Sequence, residues 1–163
     1  MHDLNIATRR LTIAVAACSM LLLAVPTVAG IKNTAIVTAS GSKLSDVPMA
    51  DLVKLCKGAQ KGWPDGREFT LVIKSPDDPE MRVAIQKLFG SSTGDFRSLL
   101  AKLNETRQVV KIVDSDDSVM QAVASTPGAI GLVDVYSINS SVKVLRVDGK
   151  LPFDVGYVLK GNA

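Results

Sequence analysis

The chain reads as an α/β protein, a mixed β-sheet flanked by helices, and three observations carry that reading. The stretch Ser115 to Val133 spells a helix, a forced stop and a strand in one unit. Glu68 to Lys74 alternates Phe69, Leu71 and Ile73 on one face with Val72 on the other, as in a strand covered on both sides. Asp78-Pro79, a helix start with proline at the first helical position, directly follows that strand.

Asn33 to Ala39 is a short apolar strand, and Ser40 to Lys43 is a polar connection into a helix that begins near Pro48 and stops at Gly58. After the Gly62 to Gly66 turn comes the Glu68–Lys74 strand. Met81 to Phe89 carries apolar residues at helical spacing until Gly90, and a shorter helix runs from about Asp95 to Leu103. Gln108 to Val113 is β-rich. Ser115 then serves as an N-cap, with Asp116 and Asp117 opposing the positive end of the helix dipole. Pro127 cannot continue that helix, and Gly128 lets the backbone reverse before Ala129 to Val133 extends. Gly131 within the strand points to a place where another backbone or a ligand comes close. Val142 to Val147 is the last long strand before the Asp148-Gly149 turn. The order βαβααβαββ implies an α/β sandwich.

The first 29 residues read as an export signal: Arg9-Arg10, an uncharged run from Leu11 to Val25, then Pro26 and a small-residue site at Thr27-Val28-Ala29. The run is short for a membrane-spanning helix. Residues after Cys18 stay apolar, which argues against lipoprotein processing there. The expected location is therefore the bacterial periplasm or the exterior. Taking 29 from 163 leaves 134 residues, enough for one compact domain over 30–163.

That mature part carries 17 Lys and Arg against 15 Asp and Glu, interspersed, so nucleic acid is not an expected partner. It keeps one cysteine, Cys56, and the neighbours Leu52, Val53 and Leu55 make it a buried structural thiol. The only histidine, His2, lies in the signal, which removes imidazole from any triad, acid/base pair or metal site. No enzyme activity, cofactor or metal site is expected. The acidic groups Asp77-Asp78 and Asp114-Asp116-Asp117 stand at helix starts and lack the spacing of a calcium loop. Trp63, beside Pro64 and apolar neighbours, reads as a core plug.

Two landmarks in order, Leu52-Val53-Lys54-Leu55-Cys56-Lys57-Gly58 with Trp63-Pro64-Asp65-Gly66, and the Ser115–Val133 unit, resemble the solute-binding proteins of phosphate ABC transporters. With Val142-Lys143-Val144-Leu145 and Gly156-Tyr157-Val158-Leu159, the similarity covers roughly residues 33 to 161. The resemblance implies a single periplasmic-binding-protein-like lobe and a non-enzymatic binding role. It also implies phosphate or another small anion as ligand and a membrane transporter as partner. The alternative is an envelope protein-interaction module that has lost its ligand.

In that family the loop after the Glu68–Lys74 strand enters a helix N-terminus and gives hydroxyl and amide groups to the anion. Here the loop reads Lys74-Ser75-Pro76-Asp77-Asp78-Pro79-Glu80-Met81-Arg82. Carboxylates replace the family's glycine, serine and threonine donors, and Pro79 removes an amide hydrogen. Lys74 stands where the family has arginine, Ser75 keeps a hydroxyl and Arg82 can fold back to the loop. Lys74, Ser75 and Arg82 are therefore the anion-contact candidates that the resemblance implies. The chain has about one of the family's two lobes, so tight phosphate capture by a monomer is not expected.

Overall fold

The computed structural model describes residues 31–162. The expected export signal and cleavage site, with Cys18, lie outside them.

Among the described residues, eight strands and four helices follow in the order β1 (Ile31–Ala39), β2 (Asp46–Val47), α1 (Met49–Cys56), β3 (Thr70–Ile73), α2 (Pro79–Phe89), α3 (Thr93–Leu103), β4 (Val110–Ile112), α4 (Asp116–Ser125), β5 (Ala129–Asp134), β6 (Val142–Val144), β7 (Arg146–Val147) and β8 (Lys160–Asn162). A 3-10 turn, Val135–Ser137, leaves β5. The main sheet runs β4-β3-β5-β1-β6, with β8 also paired to β1. β3 lies parallel to both β4 and β5, whereas β1 is antiparallel to β5, β6 and β8. The expected mixed sheet is thus present.

Strand alternation sorts the core into two layers. Ile36, Leu71, Ile73, Ile130 and Leu132 join one cluster with α1, α2 and α3. Ala35, Val37, Val72, Ala129 and Val133 join the other with Val119, Met120 and Val123 of α4. Period-two alternation on strands buried on both faces gives each layer its own set of side chains. Cys56 is completely buried on the first face.

The helix ends follow their local chemistry. The Ser115 hydroxyl accepts from the Ser118 amide at 3.1 Å, as expected of an N-cap. Asp78 occupies the N-cap position before Pro79, but its side chain makes no capping bond. α3 begins two residues earlier than the sequence indicates, because Ser92 caps it by accepting from the Asp95 amide at 3.3 Å while donating to the Asp95 carboxylate at 2.7 Å.

The segment Val142–Val147 is not one strand. The Leu145 amide still donates to the Ile36 carbonyl at 2.8 Å, but the next amide, Arg146, donates to Ser45. The chain changes partner there, from β1 to the short parallel pair β2–β7. Neither β2 nor β8 has the length to show as an apolar pattern.

Gly131 answers to a different neighbour than a backbone or a ligand. A Cβ there would lie 2.4 Å from Val119 Cγ1 and 2.8 Å from Val123 Cγ2, so the glycine lets α4 settle onto β5. Gly128 has a positive φ of 84°, and a Cβ there would lie 2.3 Å from the Glu68 carbonyl oxygen. The stop before β5 therefore needs glycine for two separate reasons.

Candidate functional site

The parallel trio β4-β3-β5 sends its carboxyl ends to one edge of the sheet. α2 follows β3 and α4 follows β4, so both helix N-termini face that edge. Exposed N–H groups and two helix dipoles favour negative charge at such a place, and open α/β sheets bind ligands there.

The negative charge at this edge comes from the protein. Lys74, the first residue beyond β3, pairs with Glu80 of the first turn of α2 and, at 3.0 Å, with Asp116 at the start of α4. The three side chains are 13 to 15% exposed. Burial alone would lower the Lys74 pKa, but hydrogen bonds and charge attraction from Glu80 and Asp116 outweigh it and hold the ammonium above the ordinary lysine value. Two carboxylates against one ammonium leave the group with one net negative charge. Each carboxylate also lies at a helix N-terminus, where a bound anion would gain the same dipole interaction.

The other two candidates have separate partners. The Ser75 hydroxyl accepts from the Asp77 amide at 3.3 Å, a local turn bond. Arg82 folds back to the loop, donating from Nη2 to the Asp77 carbonyl at 3.2 Å. Its side chain lines a shallow cavity of about 350 Å³ with Gln86, Gly90 and the Ser91-Ser92-Thr93 start of α3. Asp77 accepts from exposed Arg97 at 2.5 Å. Lys74 is thus held inward between α2 and α4, while Arg82 lies outward against α3.

Sequence spacing places Asp116 at a helix start and does not indicate its pairing with Lys74. The available signal was a lysine ending a central strand together with an acid in the first turn of both helices that begin at the same edge.

At the opposite end of β5, Trp63 is 5% exposed and packs edge-on against Phe69, with ring centroids 5.7 Å apart. Its indole N–H donates to the Gly128 carbonyl at 2.7 Å. The core-plug reading of Trp63 holds. Among the basic residues near this turn, half-buried Arg67 pairs with Asp65 at 2.5 Å and exposed Lys54 with Asp51 at 3.1 Å. Arg67 lowers the Asp65 pKa mainly through the side-chain hydrogen bond.

This architecture is the fold of the substrate-binding proteins of phosphate ABC transporters. Among solved structures, the chain is similar to PstS from Borrelia burgdorferi, with a TM-score of 0.60 and 20% identity, covering 81% of this chain and 55% of that one. A putative phosphate ABC transporter substrate-binding protein from Clostridium perfringens, solved with bound phosphate, matches with a TM-score of 0.55 and 14% identity over 73% of this chain and 46% of that one. In sequence, the chain is 30% identical over 79 residues to the phosphate-binding protein PstS 2 of Streptococcus agalactiae serotype V, which is 48% of this chain. The match spans only 26% of that relative's length. No protein-family model matches the chain.

Proposed function

We propose that the chain is an exported, non-enzymatic solute-binding-like protein of the periplasm or cell exterior, with one domain over residues 30–163 and weak affinity for phosphate or another small anion. It serves an ABC-transport or accessory role with a membrane transporter as partner. The fold supports the solute-binding part of this reading, and the names of the similar proteins supply phosphate as the first ligand to test. Lys74, Ser75 and Arg82 are the proposed contacts.

The weakness follows from one arrangement. Glu80 and Asp116 already neutralise Lys74 at the helix-lined edge, so an incoming anion must displace a carboxylate and meet the other. Coulomb repulsion between unit charges about 4 Å apart is about 1 kcal/mol in water and several times that at a partly buried site.

The same observation favours a second reading, an envelope interaction module built on this fold without a ligand. Isothermal titration of the full chain with phosphate, sulfate and small carboxylates separates the two. Millimolar binding that tightens in Glu80→Gln supports the anion reading. Submicromolar phosphate binding by the unaltered chain overturns the claim of weakness. Absence of heat with every anion, in both the unaltered chain and Glu80→Gln, sinks the ligand claim and leaves the interaction module, which a pull-down from envelope membranes would test.

A further inference from the structure

The end of the sheet opposite Lys74 carries a second, separately built cavity. β3 and β5 begin there and β1 ends, with Thr70 beside Ala129 and Thr38 beside Ile130. Between the loop after β1, Arg67 and the Thr126-Pro127-Gly128 turn lies a cavity of about 230 Å³. Gly41 and Arg67 also line one of about 330 Å³, together with Lys43 and Asp65.

Arg67 is set for a planar anion. Its side chain is 29% exposed, and Nε and Nη2 both donate to the same oxygen of Asp65, at 2.8 and 2.5 Å. That contact uses the side edge of the guanidinium and fixes its plane. The end edge, with one N–H from Nη1 and one from Nη2, has no partner among the described residues. Such a fork matches the two oxygens of a carboxylate.

Hydroxyl groups line the chamber beside it. Thr38 is 2% exposed, yet its side chain makes one long bond, 3.4 Å to the Ala129 carbonyl, which leaves its oxygen lone pairs unused. The Ser42 oxygen accepts from the Leu44 amide at 3.2 Å, and its own hydrogen has no acceptor among the described residues. One acceptor and one donor are what a ligand hydroxyl requires, since it both gives and takes a hydrogen bond.

Charge limits the occupant to a single carboxylate. Arg67 and Lys43 against Asp65 leave one net positive charge, and Lys43 forms no ion pair among the described residues. α4 ends at the cavity, with Ser125 in its lining and no basic residue in its last turn, so its carbonyl end opposes further negative charge. A doubly charged phosphate exceeds that balance.

We propose that this groove is a second binding site, separate from the Lys74 edge, for a small hydroxy-carboxylate. The carboxylate lies on the free fork of Arg67 with Lys43 beside it, and the hydroxyl donates to Thr38 and accepts from Ser42.

Amide chemical-shift titration of the full chain with glycerate is the test, with acetate and phosphate as comparisons. Glycerate should move the Gly41, Ser42 and Gly128 amides and bind there at least about tenfold more tightly than acetate, which lacks the hydroxyl. Arg67→Lys keeps the charge but not the fork. Gly41→Phe narrows the groove without strain, because Gly41 has no positive φ and an added Cβ meets nothing within 4 Å. Each substitution should weaken glycerate by about tenfold or more while the other amides keep their positions. Glycerate shifts confined to Ser75 and Met81 would place the anion at the Lys74 edge and overturn the second site alone. Absence of any shift, equally tight acetate or phosphate in the groove, or undiminished glycerate binding in either variant also overturns it.

Discussion

The indole N–H of Trp63 donates a buried 2.7 Å hydrogen bond to the carbonyl of Gly128. This bond ties the tryptophan turn before β3 to the stop before β5, 65 residues apart in sequence. The glycine carbonyl is buried, and the indole satisfies it.

Trp63→Phe keeps much of the ring volume but leaves the Gly128 carbonyl unpaired. The expected loss is about 1–3 kcal/mol in urea unfolding. A change below about 0.5 kcal/mol would show that solvent reaches the carbonyl.

Gly131→Ala and Gly128→Ala should fail for different reasons. At 131 the added methyl meets the tips of Val119 and Val123, so overpacking of about 1–3 kcal/mol is expected. Adding Val119→Ala should recover part of it in a double-mutant cycle. At 128 the methyl meets the Glu68 backbone and the φ is positive, so the loss should be larger and no side-chain truncation should relieve it.

Cys56 should resist alkylation and disulfide exchange in the native protein. Burial raises its thiol from 9.0 to about 12, so almost no thiolate is present at pH 8, and the sulfur is enclosed. In a Cys18→Ser background, thiol titration should report no reactive group until denaturant is added. Prompt native reaction at pH 8 would contradict the packing around α1.

Lys74→Met leaves Glu80 and Asp116 facing each other without their cation. A loss of about 2–4 kcal/mol is expected, less than for a fully dry pair because each side chain keeps some contact with water. Adding Glu80→Gln should restore part of it. The pH dependence has a definite sign. The folded Lys74 pKa lies above 10.5, so the pair's contribution is complete at neutral pH and is lost as pH rises through the folded value. Burial also raises the Tyr157 phenol, which adds its own alkaline loss, so the difference between unaltered chain and Lys74→Met is the quantity to follow. Identical alkaline limbs would refute the pairing.

Asn104 closes the outer edge of the sheet. Its Oδ1 accepts from the Val109 and Val110 amides at 2.9 and 3.0 Å, and its Nδ2 donates to the Val110 carbonyl at 2.8 Å. Asn104→Ala should cost about 1–3 kcal/mol and speed hydrogen exchange at both amides selectively. Exchange that rises evenly across the sheet would indicate general destabilisation instead.

Local chemistry was enough to place every long element. Ser115 and Pro127-Gly128 bracket α4, Pro79 and Gly90 bracket α2, and alternation in Phe69–Ile73 identifies a strand covered on both faces. These signals lie within a few residues of what they specify, so they survive without knowledge of the fold. Tertiary structure decided the pairings between distant segments: β8 returning to β1, the partner change at Leu145, and Gly131 yielding to valines of α4. It also decided the condition of the candidate site. Lys74, Glu80 and Asp116 are each ordinary in their own segments, one ending a strand and two starting helices. Only the parallel arrangement of β4, β3 and β5 brings those ends to one edge, where Lys74 meets both carboxylates and a net negative charge remains, a convergence that no sequence spacing encodes.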